Sequence, residues 1–307
     1  MSDIEAILNE AAEAGASDVH LTAGIPPRMR VNGKLTAMNQ WKIQPADTLD
    51  ILISLMSEAQ LERYEERGEY DFSLSLPGGG RCRGSAYKQR DGAALAFRLL
   101  NSPVSNPEEL GIPESVTELS RCERGLVLVA GPAGSGRTTT LAALIDKINR
   151  ERDAHIITLE EPVEYLHHHG RSVISQREIG MDSESYARAL RAAAREDPDV
   201  ILISELRDAE TVDLALEAVE MGRLVLASLP ASGAVSTLRR LVDMFPPHSR
   251  RQIGIRLAEA LEAVVSQRLI PTEAGSRTAA FEVLRGTREV RQLIREDRLE
   301  ELSGTAP

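Results

Sequence analysis

A glycine-rich segment followed by hydroxyl side chains is the part of this sequence best suited to bind phosphate. It reads GPAGSGRTTT over residues 131–140 and follows a short apolar run over 126–130. Glycine lets the backbone approach phosphate oxygens because it carries no Cβ. A helix that begins here would direct its free N–H groups and its positive dipole end at an anion. The candidate phosphate-binding residues are Gly131, Gly134, Ser135, Gly136, Arg137, Thr138 and Thr139.

Arg137 departs from the phosphate-loop motif G-x-x-x-x-G-K-[ST], which has lysine at this position. Arginine keeps the positive charge but replaces a compact ammonium with a bulkier planar group. Thr138 would supply the hydroxyl for Mg²⁺. We therefore expect phosphate binding to survive this exchange better than catalysis. The alternative is a glycine-rich turn that binds nothing.

Carboxylates follow two further apolar runs. Glu205 directly follows the run over 200–204, an arrangement that can present an acid to a metal-bound phosphate and to the attacking water. Glu160, Glu161 and Glu164 follow a run over 155–159, and one of them could orient or deprotonate water. The alternatives are a solvated strand end at Glu205 and an exposed charged turn around Pro162.

The elements that must position these residues alternate between strands and helices. Strands are predicted over 126–130, 155–160, 200–204 and 224–228, and helices over 138–150, 183–195 and 208–221. Such alternation is typical of an α/β fold with a mostly parallel sheet, in which ligands lie at the carboxyl ends of the strands.

The first hundred residues predict a smaller α+β domain. Helices are expected over 2–14 and 47–56 and from Ser57, and an Asn32-Gly33 hairpin and a turn over 77–80 connect the strands of an antiparallel meander. Tyr87, Phe97 and Trp41 are expected in its core. Proline and glycine interrupt residues 101–113, which we interpret as a linker. The predicted domains are therefore 1–100 and 114–307.

Composition restricts the possible functions. A net charge of −11 disfavours a general nucleic-acid-binding protein. The sequence contains no apolar run long enough to span a membrane and no signal peptide at its acidic start, so we expect a cytoplasmic protein.

Cys82 and Cys122 are expected to be buried or incidental thiols. Three consecutive histidines, His167 to His169, are interpreted as a solvated loop rather than a metal site.

In this order and spacing, the motifs resemble those of the PilT-type ATPases, the type IV pilus retraction motors of the secretion ATPase superfamily. The resemblance runs almost from end to end and rests on SDVHL, RGLVLVAGPAGSGRTTTLAAL, HIITLEEPVEY, SQREIG, ALRAAAREDPDVILISELRD, LVDMFP, VVSQRLIP and VRQLIRE.

The resemblance implies a PAS-like N-terminal domain, a RecA-like P-loop ATPase domain and a homo-hexamer that binds ATP and Mg²⁺ between subunits. Such rings power twitching motility by returning pilin to the inner membrane through a membrane platform protein, which implies a place at that membrane's cytoplasmic side. Glu164 matches the family's acidic-box glutamate and Glu205 its Walker B glutamate. Arg83 and Arg98 match arginines that reach nucleotide. Val290, Leu293 and Ile294 lie in a stretch resembling the motif needed for retraction.

Several departures concern the active-site motifs. Besides Arg137, the family's two histidine-box histidines are replaced by Arg223 and Pro230, and Ser204 stands where glycine usually precedes the Walker B glutamate.

Our first hypothesis is a weakly hydrolysing hexameric motor. The second is a nucleotide-binding or regulatory ring subunit that does not hydrolyse ATP and acts beside an active paralogue. A third, a DNA-directed RecA-like motor, fits the fold but not the acidic charge.

Overall fold

The structure is a computed structural model and describes residues 4–76, 81–90, 92–100, 104–271 and 277–304. It divides into two compact units. The first is Met1–Pro103 together with Glu164–Leu166, and the second is Val104–Val163 together with His167–Pro307. Residues 104–113, predicted as linker, group with the second unit, where Ile112 is buried. The domain boundaries drawn from the sequence stay a prediction.

The first unit contains three helices and six strands in its described residues. The helices are α1 (Ile4–Glu13), α2 (Pro45–Leu55) and α3 (Glu58–Arg67). The strands are β1 (Asp18–Thr22), β2 (Arg28–Val31), β3 (Lys34–Ala37), β4 (Glu69–Ser75), β5 (Arg81–Gln89) and β6 (Gly92–Leu100). Asn32 and Gly33 both have positive φ, 49° and 79°, as a tight hairpin turn requires, so the predicted hairpin is confirmed. The turn predicted over 77–80 lies outside the described residues.

The sheet of the first unit differs from the single meander that we predicted. Its strand order is β3-β2-β1-β6-β5-β4, so two three-stranded meanders join through the antiparallel pair β1 and β6. Phe97 lies in the core, 6.1 Å from Phe72 in an edge-to-face arrangement. Trp41 and Tyr87 are instead 39% and 37% exposed, so their predicted core positions are wrong. The aromatic residue type does not show that Trp41 lies in the connection between β3 and α2, or which face of β5 carries Tyr87.

The second unit alternates strands with helices over much of its length. Its helices are α4 (Glu114–Thr117), α5 (Arg137–Glu151), α6 (Tyr186–Ala193), α7 (Ala209–Glu220), α8 (Ala234–Asp243), α9 (Pro247–Ala260) and α10 (Arg288–Arg295). Its strands are β7 (Gly125–Ala130), β8 (His155–Glu160), β9 (Val173–Glu178), β10 (Val200–Ile203), β11 (Leu224–Leu229), β12 (Leu261–Pro271) and β13 (Arg277–Arg285). Among the described residues, no helix is long and apolar enough to cross a bilayer.

A mostly parallel sheet organises the second unit, in the order β13-β12-β7-β11-β10-β8-β9. Only β13 pairs antiparallel among these described strands. Every residue of β7, β10 and β11 is buried, as expected for central parallel strands covered by helices on both faces. Because β7, β11, β10 and β8 are parallel neighbours, the segments that follow them emerge at one edge of the sheet.

Candidate functional site

The predicted phosphate loop, residues 131–136, connects β7 to the start of α5. Gly134 and Gly136 have φ values of 73° and 90°, a region that favours glycine. A Cβ on Gly131 would lie 2.4 Å from the carbonyl oxygen of Gln267 and equally close to Ser135 Oγ. The loop therefore adopts a conformation that requires these glycines, and α5 begins at Arg137 as a phosphate loop demands.

Two buried donors point to an anion. Ser135 Oγ and Arg137 Nη1 are both inaccessible to water and lack a hydrogen-bond partner among the described residues. Leaving such groups unpaired is costly, so a ligand with acceptor oxygens would stabilise them. Burial lowers the pKa of Arg137, while the charge of Glu205 opposes this shift and that of Arg240 adds to it. These donors fit a phosphate group.

A cavity of about 420 Å³ opens beside the loop. Gly131 and Pro132 line one side, Ser232 and Gly233 a second, and residues of β12 and β13 complete it. This volume is within the usual range of small-molecule sites. The loop therefore has space next to it for a ligand larger than phosphate.

Glu205 follows β10, and β11 lies between β10 and the loop strand β7. Its carboxylate lies 3.7 Å from Arg207 Nε and is partly exposed. Arg207 also pairs with Glu161, and its guanidinium lies 5.8 Å from the centre of the Tyr186 ring. The sheet thus brings Glu205 to the same edge as the loop, and its charge acts on Arg137.

The acidic residues at the end of β8 and directly after it have different environments. Glu160 is buried and accepts hydrogen bonds from Thr158 Oγ1 at 2.6 Å and from Gln176 Nε2 at 3.0 Å, so its carboxylate is held within the protein. Glu161 pairs with Arg207. Glu164 groups with the first unit, where burial raises the pKa of its carboxyl although Arg83 and Arg98 oppose the shift.

Arg83 and Arg98 lie on neighbouring strands of the first unit and face each other in the register of β5 and β6. Each is exposed and holds an aspartate, Asp71 at 2.5 Å from Arg83 and Asp18 at 3.1 Å from Arg98. The structure therefore brings Glu164, Arg83 and Arg98 together in one unit and the loop residues and Glu205 in the other. Their predicted contact with nucleotide stays a prediction.

The two replaced histidines occupy opposite ends of β11. Pro230 directly follows the carboxyl end, at the loop's edge of the sheet, and its carbonyl accepts a hydrogen bond from Arg240 Nη1 at 2.8 Å. Arg223 directly precedes the amino end and lies 3.9 Å from Asp197. Only one of these two departures therefore lies near the phosphate loop.

Ser204 and the histidine run complete the predicted positions. Ser204 Oγ lies 2.6 Å from the Tyr186 hydroxyl, and its carbonyl accepts a hydrogen bond from Ser228. His168 and His169 are exposed, whereas His167 is partly buried, so the run is not uniformly solvated. Among the described residues, no three His, Cys, Asp or Glu side chains cluster as a metal site.

Sequence reasoning missed two residues beside the loop. Gln267 contacts it from β12, and Arg240 acts on Arg137 from α8. The sequence gave no signal for Gln267, because β12 mixes apolar residues with Glu262, Ser266 and Arg268. Arg240 gave no signal, since an arginine on an amphipathic helix usually faces water.

Comparisons with known proteins agree with this geometry. A family model described as Type II/IV secretion system protein matches residues 1–302. The type IV pilus retractation ATPase PilT of Pseudomonas aeruginosa is 42% identical over 300 residues, covering 98% of this chain and 87% of PilT. The type IV pilus ATPase PilU of the same organism is 38% identical over 301 residues, covering 98% of this chain and 79% of PilU.

A crystal structure of the pilus retraction motor PilT with bound ADP matches with a TM-score of 0.94 and 43% identity, covering 99% of this chain and 89% of that chain. This likeness confirms the predicted fold class, an α+β N-terminal domain followed by a RecA-like P-loop ATPase domain. The chain therefore belongs to the type II/IV secretion system protein family, and within it to the PilT-like type IV pilus ATPases.

Proposed function

We propose that this chain is a nucleotide-binding subunit of a hexameric motor ATPase of the pilus retraction type, which hydrolyses ATP weakly to drive pilus disassembly. The observation that carries the proposal is the pair of buried, unpartnered donors in the loop, Ser135 Oγ and Arg137 Nη1. Such a loop, in a chain 42% identical to a retraction ATPase over nearly its whole length, is best explained by nucleotide phosphate.

Nucleotide phosphates would accept hydrogen bonds from Ser135, Arg137 and the first N–H groups of α5. Thr138 and Glu205 are the residues that would hold Mg²⁺, Thr138 through its hydroxyl and Glu205 through water. This sparse set suits Mg²⁺, which keeps several waters and relies on substrate phosphates for further ligands. When bound, the ion would neutralise charge that develops on the phosphates.

Glu205 and Glu164 are the candidates for orienting or deprotonating the attacking water. Burial raises the pKa of Glu164, which brings it nearer to the neutral range in which a general base works best. Arg137 would stabilise negative charge on the transferred phosphoryl group. Arg83 and Arg98 would have to exchange their aspartate partners for nucleotide oxygens.

The same proposal assigns partners and location. Six copies would form the ring, which an active paralogue could join, and a platform protein of the inner membrane would receive the motion at the membrane's cytoplasmic side. The support for these assignments is the likeness to PilT and PilU.

A ring subunit that binds nucleotide without hydrolysing it is the second candidate. Two observations favour it: a guanidinium replaces the loop's ammonium at Arg137, and Pro230 offers no imidazole at the site's edge. PilT and PilU both come from Pseudomonas aeruginosa, so one organism can contain two such relatives.

Nucleotide binding and turnover, measured separately on the purified protein, decide between these candidates. We expect binding of ATP with slow release of phosphate. Binding without turnover would favour the regulatory subunit, and absence of binding would overturn both candidates.

A further inference from the structure

Gln267 of β12 connects the phosphate loop to the first turn of α5. Its Nε2 donates to the carbonyl oxygen of Ser135 at 2.9 Å, and its Oε1 accepts from Thr140 Oγ1 at 2.7 Å. Ser135 belongs to the loop, and Thr140 lies in the first turn of α5. One amide therefore fixes the loop relative to the helix that follows it.

The side chain of Gln267 is buried and closely surrounded. The side chain is only 5% exposed, and both hydrogen bonds are shielded from water. Loss of a buried partner is costlier than loss of an exposed one, because the remaining group stays unsatisfied. Two loop glycines also lie against Gln267. A Cβ on Gly131 would lie 2.4 Å from the backbone carbonyl oxygen of Gln267, and a Cβ on Gly136 would lie 2.9 Å from its side-chain Nε2, so neither position has room for a Cβ.

The position of β12 explains how it reaches the loop. Ser266 pairs with Ala130, the last residue of β7, so Gln267 stands level with the first residue of the loop. Pairing with β13 continues past this point, since Gln267 lies opposite Phe281. Gln267 therefore projects from a strand that pairs with β7 as far as Ser266 and with β13 at Gln267 itself.

We propose that Gln267 is a positioning residue that holds the phosphate loop in its nucleotide-binding shape before nucleotide arrives. This inference rests on the proposed nucleotide binding. Hydrogen-bond donors that are already held in position bind a ligand more tightly, because no free energy is spent on ordering them when the ligand binds. Gln267 itself has no part in the reaction, and its effect is transmitted through Ser135 and Thr140.

Two substitutions separate the hydrogen bonds. Gln267→Glu keeps an acceptor for Thr140 but replaces the donor to Ser135, whereas Thr140→Val removes only the second bond and Thr140→Ser retains its hydroxyl. Asn149→Asp is a matched control, because Asn149 is also a buried amide in α5. It bridges His168 and Gly170 at 2.8 and 2.9 Å, at the other end of the helix.

The readouts are the Kd for the fluorescent analogue mant-ADP with Mg²⁺, hydrogen exchange over residues 131–140 without nucleotide, and the Tm. We expect Gln267→Glu to weaken mant-ADP binding by about tenfold and to speed loop exchange, since a tenfold change matches the loss of one good hydrogen bond. Thr140→Val should weaken binding less, and Thr140→Ser should restore it. Asn149→Asp should lower the Tm while its Kd stays close to wild type.

Wild-type affinity and loop exchange in both Gln267→Glu and Thr140→Val would overturn the inference. Equal weakening of binding by Asn149→Asp would also overturn it, because a general loss of stability would then account for the effect. If the wild-type protein binds no mant-ADP, the proposed function fails, while the exchange of loop amides in Gln267→Glu still tests whether Gln267 holds the loop. Should Gln267→Glu fail to fold, the comparison of Thr140→Val with Thr140→Ser tests the inference through the bond between Gln267 and Thr140, and equal Kd and loop exchange in these two variants would overturn it.

Discussion

Arg137 is the residue on which we expect the proposed hydrolysis to depend most directly. Its Nη1 is buried without a partner among the described residues, and its planar group replaces the ammonium that phosphate loops use. We predict that Arg137→Lys raises the rate of ATP turnover by at least about tenfold, because one well-placed electrostatic group is worth roughly 10²–10³ in rate. Steady-state phosphate release measures the effect.

Arg137→Ala is the control for this prediction, and it should lose nucleotide affinity as well as turnover. If the wild type and Arg137→Lys turn over ATP at the same rate, well above background, then arginine performs the lysine's task and the weak-hydrolysis hypothesis is wrong.

We expect the buried His167 to make the stability of the protein depend on pH. Burial lowers its pKa from 6.5 to about 4, against the charge of Asp146 and with that of His168. The unfolded chain therefore binds more protons than the folded one in this range, so the stabilisation is present above pH 6.5 and is lost as pH falls toward 4. We predict that His167→Gln reduces the fall in the free energy of unfolding between pH 6.5 and pH 4 by roughly 1–3 kcal/mol.

Urea denaturation at the two ends of this pH range tests the prediction. His168→Gln is the matched control, because His168 is the exposed neighbour. If the free energy of unfolding falls by the same amount in His167→Gln as in the wild type when the pH is lowered, other groups cause the acid sensitivity.

At the scale of elements, β11 separates the two lost histidines by about 20 Å, the length of a six-residue strand. In the Arg137→Lys background, we predict that Pro230→His raises turnover further, since an imidazole there would stand at the edge of the sheet that carries the loop. Arg223→His should leave turnover unchanged, because it lies at the other end. The measurement is the ATP turnover rate of each histidine variant relative to Arg137→Lys alone. Equal increases from Pro230→His and Arg223→His would contradict the inference that only position 230 lies near the loop.

The same elements show what the sequence could and could not predict. Central strands such as β7 and β11 are continuous apolar runs, so their positions followed from composition, and the glycines with Arg137 identified the loop. The polar strand β9 and the pair β12 and β13 gave no such run and were not predicted. The pairing of β1 with β6 depends on contacts far apart in sequence, which local patterns do not encode. Gln267 was missed for the same reason, because 127 residues separate it from Thr140.

At the scale of the whole molecule, the proposed ring makes assembly sensitive to nucleotide. A ligand that binds the assembled state better than the free subunit shifts the equilibrium toward assembly. We predict a hexamer whose stability rises with a non-hydrolysable ATP analogue, by about 2.7 kcal/mol per site at a ligand concentration of about 100 times Kd. Light scattering at micromolar protein measures it, and a monomer both with and without nucleotide would refute the proposed ring.

Arg83 and Arg98 test whether residues of the first unit contact nucleotide in the proposed ring. If these arginines contact nucleotide, replacing both with alanine should weaken nucleotide affinity and reduce the stabilisation of the ring, whereas loss of their exposed ion pairs alone should change stability by less than about 1 kcal/mol. Arg171→Ala is the matched control, since Arg171 forms a comparable exposed pair with Asp153. Unchanged affinity in the double variant would remove Arg83 and Arg98 from the nucleotide site and would leave Ser135, Arg137 and the start of α5 as the groups that bind phosphate.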